Sequence, residues 1–248
     1  MTLANSWRVM TWNVHGAAQP DLGRLADAVR DQRPDVLAVQ EIRARQAVEL
    51  AQLLGWQHQW ARKHYPYSPL AWWLAEGAAT MSPHAIAHPV RRSLSPGVST
   101  WTYRHRIVLA ATVQRDTDSV RLYNTHLASH SQPDERIEQA GRLATMIADE
   151  TPPIAVIAGD LNAPGEVEVV RQFHRVGLRD PGGGPTHPSM SPRRRLDYIL
   201  VPEGARVSEQ HSPDGGDAWR ELSDHVPVLV EFSIPAFVSN VQSPDQVL

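Results

Sequence analysis

Residues 154–162 read IAVIAGDLN. Ile154 to Gly159 is a short apolar run of the kind that forms a strand buried on both faces. It is followed at once by Asp160 and Asn162. A rigid strand end holds side chains at a fixed separation, so polar groups there are well placed for chemistry. The pattern recurs on both sides of this stretch. Upstream, Trp7–Val14 alternates bulky and polar residues and closes on Asn13 and His15. Asp35–Glu41 (DVLAVQE) closes on Glu41, and Val120–Leu127 closes on Asn124 and His126. Downstream, Asp197 opens the strand Leu196–Val201 in RRRLDYIL, and Asp224 and His225 precede the strand Pro227–Phe232.

The intervening segments complete the plan. Leu22, Leu25, Ala26 and Val29 recur at helical spacing within Pro20–Gln32. Ala47, Leu50, Ala51 and Leu54 line a second helical face that Gly55 stops. Pro133–Glu150 and Glu166–Val176 read as further helices. Further strands are expected at Trp56–Ala61, Leu70–Ala75, Gly77–Ser82, Arg106–Gln114 and Ala205–Gln210, bounded by Pro, Gly and Asp signals. Strands outnumber helices, and helices are interspersed among them. This predicts one α/β domain over residues 1–235, two sheets with helices outside, and a polar tail at 236–248.

Composition narrows the class. A chain of 248 residues buries a sizeable core without disulfides. With 42% hydrophobic and 21% charged residues it is an ordinary globular composition, which excludes disorder, collagen and coiled coil as its main character. No apolar stretch approaches the ~20 residues of a membrane helix. The first residues, MTLANSWRVM, lack the pattern of a secretory signal, and cysteine is absent, so a cytoplasmic location is expected. The net charge of -3 excludes a strong global field for nucleic acid, but a local basic cleft remains open. Every basic residue except Lys63 is Arg, which reads mainly as compositional bias. A monomer is the expectation.

The polar strand ends also select the chemistry. Each one alone has a plain explanation, since Asn and Asp form turns and a lone His at a strand end is commonly structural. Their recurrence points to one shared site. There is no Cys ligand and no HExxH pair to suggest zinc, and no Gly-rich phosphate loop. Glu41, Asp160 and Asp224 offer hard carboxylate oxygens, and Asn13 and Asn162 offer amides. That inventory suits Mg²⁺ or Mn²⁺, which prefer oxygen ligands. His126 and His225 add donors or proton carriers near neutral pH. The set fits hydrolysis of a phosphate ester by water.

TWNVHG (Thr11–Gly16), VQE (Val39–Glu41), NTHL (Asn124–Leu127), AGDLN (Ala158–Asn162), LDYIL (Leu196–Leu200) and SDHVPV (Ser223–Val228) occur in this order. Together they resemble the endonuclease/exonuclease/phosphatase superfamily, over about residues 7–232. That superfamily includes pancreatic-type deoxyribonucleases, apurinic-site endonucleases, neutral sphingomyelinases and inositol polyphosphate 5-phosphatases. The resemblance implies a four-layer α/β sandwich, two central mixed β-sheets flanked by helices. It implies Glu41 as the principal metal carboxylate, with Asn13 beside it touching metal-bound water or phosphate. Asp160 would position or deprotonate the attacking water, and Asn162 would hold a phosphate oxygen. His225 would contact the scissile phosphate, and Asp224 would either orient His225 or reach the metal. His126 would be general acid or transition-state donor, and Asp197 would fix either His126 or His225. Arg106, rather than Arg104, would contact phosphate.

His15, His126 and Arg43 depart from the apurinic-site pattern of an acid, a Tyr and a Lys, which shifts the expectation toward deoxyribonucleases, sphingomyelinases and small phosphodiesterases. His15 either contacts substrate or packs beside Asn13. Trp72 and Trp73 read as core plus surface on two faces of a strand, and Arg193–Arg195 as a solvated loop. Glu76 is a candidate to orient His126, and His84, His88 and His187 read as loop histidines. The leading expectation is a divalent-metal-dependent phosphodiesterase or nuclease acting on a phosphate-ester substrate. The alternatives are a phosphomonoesterase on inositol phosphates or phospholipid headgroups, and a catalytically silent binding module on the same scaffold.

Overall fold

A computed structural model describes residues 6–66, 69–165 and 167–235. The tail at 236–248, and Glu166 at the start of the fourth expected helix, lie outside them. In chain order the elements are β1 (Ser6–Asn13), α1 (Leu22–Gln32), β2 (Val36–Arg43), α2 (Ala44–Leu54), β3 (Gln57–Arg62), β4 (Glu76–Ser82), β5 (Ala85–Ser93), β6 (Ile107–Arg115) and β7 (Asp118–His126). Then come α3 (Pro133–Glu150), β8 (Ala155–Asp160), α4 (Val167–His174), β9 (Leu178–Arg179), β10 (Asp197–Pro202), β11 (Arg206–His211), α5 (Asp217–Arg220) and β12 (Val228–Ser233).

The strands form two mixed six-stranded sheets, ordered β11-β12-β1-β2-β4-β3 and β5-β6-β7-β8-β10-β9. Each sheet has one parallel pair at its centre, β1 with β2 and β7 with β8. A parallel neighbour needs a crossover, and α1 and α3 supply it. The two halves therefore repeat one plan, and the sheets stack face to face with helices outside.

Period-two alternation sorts the side chains into three apolar layers. Met10, Trp12, Leu37 and Val39 pack with Leu25, Val29 and Leu50 of α1 and α2. Tyr123, Ile157 and Leu200 pack with Leu143, Ile147 and Phe173 of α3 and α4. Between the sheets lie Trp7, Val9, Val36, Ala38, Leu122, Val156, Ala158, Ile199, Val228 and Val230. The inter-sheet stripe turns polar toward one end of five strands. It runs from Val9 to Thr11 and Asn13, from Ala38 to Gln40, from Leu122 to Asn124 and His126, from Ala158 to Asp160, and from Ile199 to Asp197. One end of the inter-sheet layer is thus core and the other is site.

Gln40 joins the sheets where the stripe changes character. Its Nε2 donates to Thr11 Oγ1 at 3.0 Å and to Asn124 Oδ1, in the opposite sheet, at 2.8 Å. Asn124 Nδ2 answers by donating to the carbonyls of Val39 at 3.2 Å and Ala79 at 2.8 Å.

Two expectations are corrected. Residues 70–75 are not a strand; Pro69–Leu74 is a 3₁₀ turn kinked at Ala71. β4 already has β2 on one side and β3 on the other, so no edge is open to another strand there. Trp72 and Trp73 are consequently both exposed rather than divided between core and surface. The strand β5 is an addition. It is an edge strand carrying Pro89 and a bulge between Ala87 and Val90, so it lacks an apolar run to betray it.

Gly159 is the tightest point of the second sheet. It pairs with Thr125, sits at φ +150°, and a Cβ there would collide with the Thr125 carbonyl. Gly159→Ala is expected to cost about 2 kcal/mol or more through overpacking and backbone strain, read as a lower urea midpoint.

Candidate active site

Asn13, His126, Asp160, Asn162, Asp197 and His225 meet at the polar end of the inter-sheet layer, each at most 8% exposed. Asp160 is the hub. Its Oδ1 accepts from the Asn162 backbone N–H at 2.9 Å, and its Oδ2 accepts from Asn13 Nδ2 at 3.1 Å. The Nε2 atoms of His126 and His225 stand 3.6 and 3.9 Å from the same Oδ2. Asp197, which pairs with Asp160 across the β8–β10 ladder, holds His225 Nδ1 at 2.7 Å. Asp197 therefore fixes His225 and not His126.

The loop carrying His225 is tied to β1. Ser223 Oγ donates to the Asn13 carbonyl at 2.7 Å and accepts from the His225 N–H at 3.2 Å. Trp12 Nε1 donates to the His225 carbonyl at 2.9 Å. Thr186 buttresses the other side, since its Oγ1 accepts from the N–H groups of Leu196 at 3.1 Å and Asp197 at 3.3 Å.

Glu41 reaches the cluster by a backbone device. Simple alternation after Leu37 and Val39 would turn residue 41 toward the helices. A bulge between Gln40 and Ile42 lets Ile42 take that apolar position, with Glu41 at φ 56°. The Glu41 carboxylate is then free to face the opposite sheet, with Oε1 3.5 Å from His126 Nδ1. The left-handed conformation of a non-glycine residue costs about 1–2 kcal/mol, and the bulge absorbs it.

Asn162 Nδ2 lies 3.0 Å from His126 Nε2 and 3.3 Å from the Leu127 carbonyl. An amide nitrogen only donates, so His126 Nε2 accepts and its proton sits on Nδ1, toward Glu41. Burial, reinforced by Arg106 and Lys63, holds the His126 pKa well below its ordinary value, so the ring stays neutral. In this arrangement His126 has no proton to give at Nε2, and its Nδ1 faces Glu41 without a hydrogen bond.

The other charges divide clearly. Burial opposes a charge on His225, but Asp197, Asp160 and Asp224 together outweigh it and lift the imidazole to about 10. Burial, then the neighbouring Asp197, raises the Asp160 carboxyl. Asp224 does not orient His225; its side chain is half-exposed, with Oδ1 3.7 Å from His15 Nδ1. His15 packs beside Asn13, its N–H donating to Asn13 Oδ1 at 3.2 Å. Glu76 does not orient His126 either. It pairs at 3.6 Å with Lys63, a buried residue that the sequence offered no reason to single out. Arg106 is buried beside the cluster, donating to the carbonyls of Leu127 at 3.0 Å and Tyr103 at 2.7 Å. Exposed Arg104 instead pairs with half-buried Glu135. His187, read as a loop residue, lies against His225 with ring centroids 4.8 Å apart. The groove of about 530 Å³ lined by Trp60, Trp72, Trp73, Arg45 and Arg62 takes in none of the cluster.

Among the described residues, two His/Asp groupings are tight enough to share an ion, Asp160–Asp197–His225 and His187–Asp224–His225. In the first, His225 Nδ1 is already hydrogen-bonded to Asp197, so the grouping is explained as an ion pair beside a carboxyl. Glu41 belongs to neither.

The Asp197–His225 pair has a measurable signature. The folded pKa of His225 lies above its ordinary value of 6.5, so the pair's contribution to stability is full below pH 6.5 and fades as pH rises through about 10. Asp197→Asn is expected to lower the His225 pKa, followed by NMR of the ring. It should also cost more thermal stability at pH 6 than above pH 10.

The chain matches the model of the endonuclease/exonuclease/phosphatase family over residues 10–225. No curated protein sequence matches it. Among solved structures it is similar to an endonuclease/exonuclease/phosphatase from Beutenbergia cavernae, with 23% identity, 93% of this chain and 72% of that chain covered, and TM-score 0.77. It is similar to the mannosyl-6-phosphatase Bt3783 of Bacteroides thetaiotaomicron, with 19% identity, coverage of 92% and 100%, and TM-score 0.73. It is also similar to the human Nocturnin catalytic domain with bound sulfate, with 19% identity, 94% of each chain covered, and TM-score 0.71. The family match spans every strand end from Asn13 to His225 that builds the cluster, and the chain belongs to the endonuclease/exonuclease/phosphatase family of phosphoester hydrolases.

Proposed function

We propose that the protein is a divalent-metal-dependent phosphodiesterase. The observation that carries this reading is the buried set of Asp160, Asn13, Asn162, Asp197 and His225 around one carboxylate, with Glu41 aimed at it from the facing sheet. Glu41 suits Mg²⁺ or Mn²⁺. Among the described residues its one neighbour at ion-pair distance is the neutral ring of His126, and the cations Arg106 and Lys63 act on it from beyond that distance. A single carboxylate is enough for Mg²⁺, which keeps most of its waters. Bound there, the cation supplies positive charge to the phosphate and to the oxyanion that develops on it.

The chain's own groups do the rest. Asn13 and the Asn162 N–H hold both Asp160 oxygens, so the carboxylate is presented in one orientation to the attacking water. Its raised pKa brings it toward the working range of a general base. His225 is kept cationic and donates from Nε2 to the phosphate, with Asp197 holding the ring as a carboxylate holds the imidazole of a triad. His126 stands beside Glu41 as a neutral ring. Arg106 adds positive potential, which it shares with Glu41 and Asp160.

The charge supply favours a diester monoanion over a monoester dianion. Arg104 and Arg195 are each paired with a carboxylate, of Glu135 and Asp180, and so add little charge for a dianion, whereas Arg194 bonds the neutral ring of His187.

The test is hydrolysis of a simple phosphodiester and a simple phosphomonoester with Mg²⁺, Mn²⁺ or EDTA. Diester cleavage that EDTA abolishes and Asp160→Asn removes is expected. Monoester cleavage alone would overturn the diester reading, and turnover of neither would favour a binding module. Glu41→Gln is expected to raise the Mg²⁺ concentration needed for half-maximal rate; an unchanged metal titration would remove Glu41 from that role. His225→Ala is expected to lower kcat by about 10²-fold or more in a folded protein.

A further inference from the structure

His187 has no part in the chemistry above, yet three observations give it one. Arg194 Nη2 lies 3.0 Å from His187 Nδ1. A guanidinium only donates, so Nδ1 accepts and the proton of the neutral ring sits on Nε2. The contact is built into the backbone. His187 and Arg194 form an antiparallel bridge, each N–H donating to the other's carbonyl at 3.0 Å. Burial, then the charge on His225, also press the ring toward its neutral form.

The second observation is spacing. Donor or acceptor atoms of His187, Asp224 and His225 all lie within 4.8 Å of one another. One oxygen placed between them can therefore reach all three. Both Nδ1 atoms are already taken, one by Arg194 and the other by Asp197. With Nδ1 accepting from Arg194, the remaining His187 nitrogen carries the proton and offers a hydrogen bond to an oxygen rather than a lone pair to a metal ion. The third observation is room. A cavity of about 310 Å³, lined by His15, Gln19, Pro188, Met190 and Asp224 among others, adjoins the group at Asp224, while His187 and His225 do not line it.

An oxygen held by a fixed N–H and a fixed carboxylate must both accept and donate. That describes an alcohol. We propose that His187 and Asp224 form a hydroxyl-binding subsite, in which a substrate alcohol accepts from His187 Nε2–H and donates to the Asp224 carboxylate. The proposal rests on the phosphate lying at Asp160 and His225. Because His225 borders both spaces, the hydroxyl belongs close to the ester, as in a phosphodiester of a polyol or sugar. Arg194 is the positioning residue, since it sets the tautomer without touching substrate. A site built to bond a hydroxyl disfavours the analogue that lacks one, because its polar groups are then left unpaired.

The test uses binding, so it does not depend on turnover. The affinities of the diesters methyl 2-hydroxyethyl phosphate and methyl propyl phosphate, near-isosteres, are compared by calorimetry. The wild-type protein is expected to bind the hydroxylated ligand about tenfold more tightly. The ratio should fall toward one in His187→Phe, and substantially in Arg194→Met, which leaves the ring in place and serves alone if the first variant does not fold. Nitrogen-15 NMR of the His187 ring should show the Nε2–H tautomer, and Arg194→Met should shift it toward a mixture. Equal affinities in the wild type, a ratio preserved in both variants, or a proton on Nδ1 would each overturn the subsite alone. Failure of both ligands to bind would overturn the phosphate placement and the subsite with it.

Discussion

Two sheets stacked face to face leave no water between them, so any polar group on the inner faces must find its partner there. Gln40 and Asn124 meet that demand across the gap. Gln40 donates to Asn124, and Asn124 donates to two carbonyls of the first sheet, Val39 and Ala79. This exchange sets where the apolar inter-sheet core stops. Beyond it the inward positions of β1, β7, β8 and β10 carry Asn13, His126, Asp160 and Asp197, and each strand contributes its group at a height fixed by pleat and register. A slip of one residue in any of these strands would turn the functional group toward the helices and a core residue toward the site.

The site is then a matter of buried charge. Asp160, Asp197 and His225 are buried together, and none would be tolerable alone. Asp197 and His225 form one hydrogen-bonded pair. The burden falls on Asp160, whose carboxyl responds with a raised pKa. The backbone is also under load, with His15, Glu41 and Asn162 all at positive φ. Desolvation of charge is thus concentrated at the cluster, and the three apolar layers elsewhere offset it.

Much of this was legible in the chain. The β1, β2, β7, β8, β10 and β12 segments could be read within a residue or two, because buried strands are short apolar runs and their polar ends stand out. The helix Pro133–Glu150 was legible to the residue, since Pro at its first position and an amphipathic repeat mark it. The edge strand β5 was not, because an exposed edge needs no hydrophobic signature. Nor was the 3₁₀ turn bearing Trp72 and Trp73, whose composition resembles a strand but which finds no strand to pair with. Lys63, Thr186, Ser223 and His187 support or border the site through contacts with residues distant in sequence or with the backbone, which no local pattern records.

Sequence alone determined the layering and the roster of Asn13, Glu41, His126, Asp160, Asn162, Asp197 and His225. Alternation of apolar and polar residues follows from strand geometry, and strand geometry is local. Only the tertiary structure decided which carboxylate holds which histidine: Asp197 for His225, Glu41 beside His126, Asp224 beside His15 and His187. Those pairings depend on the stacking of one sheet on the other and on a single bulged residue in β2. Packing sets the distances between groups far apart in the chain, and at these distances a shift of an ångström exchanges one hydrogen-bond partner for another.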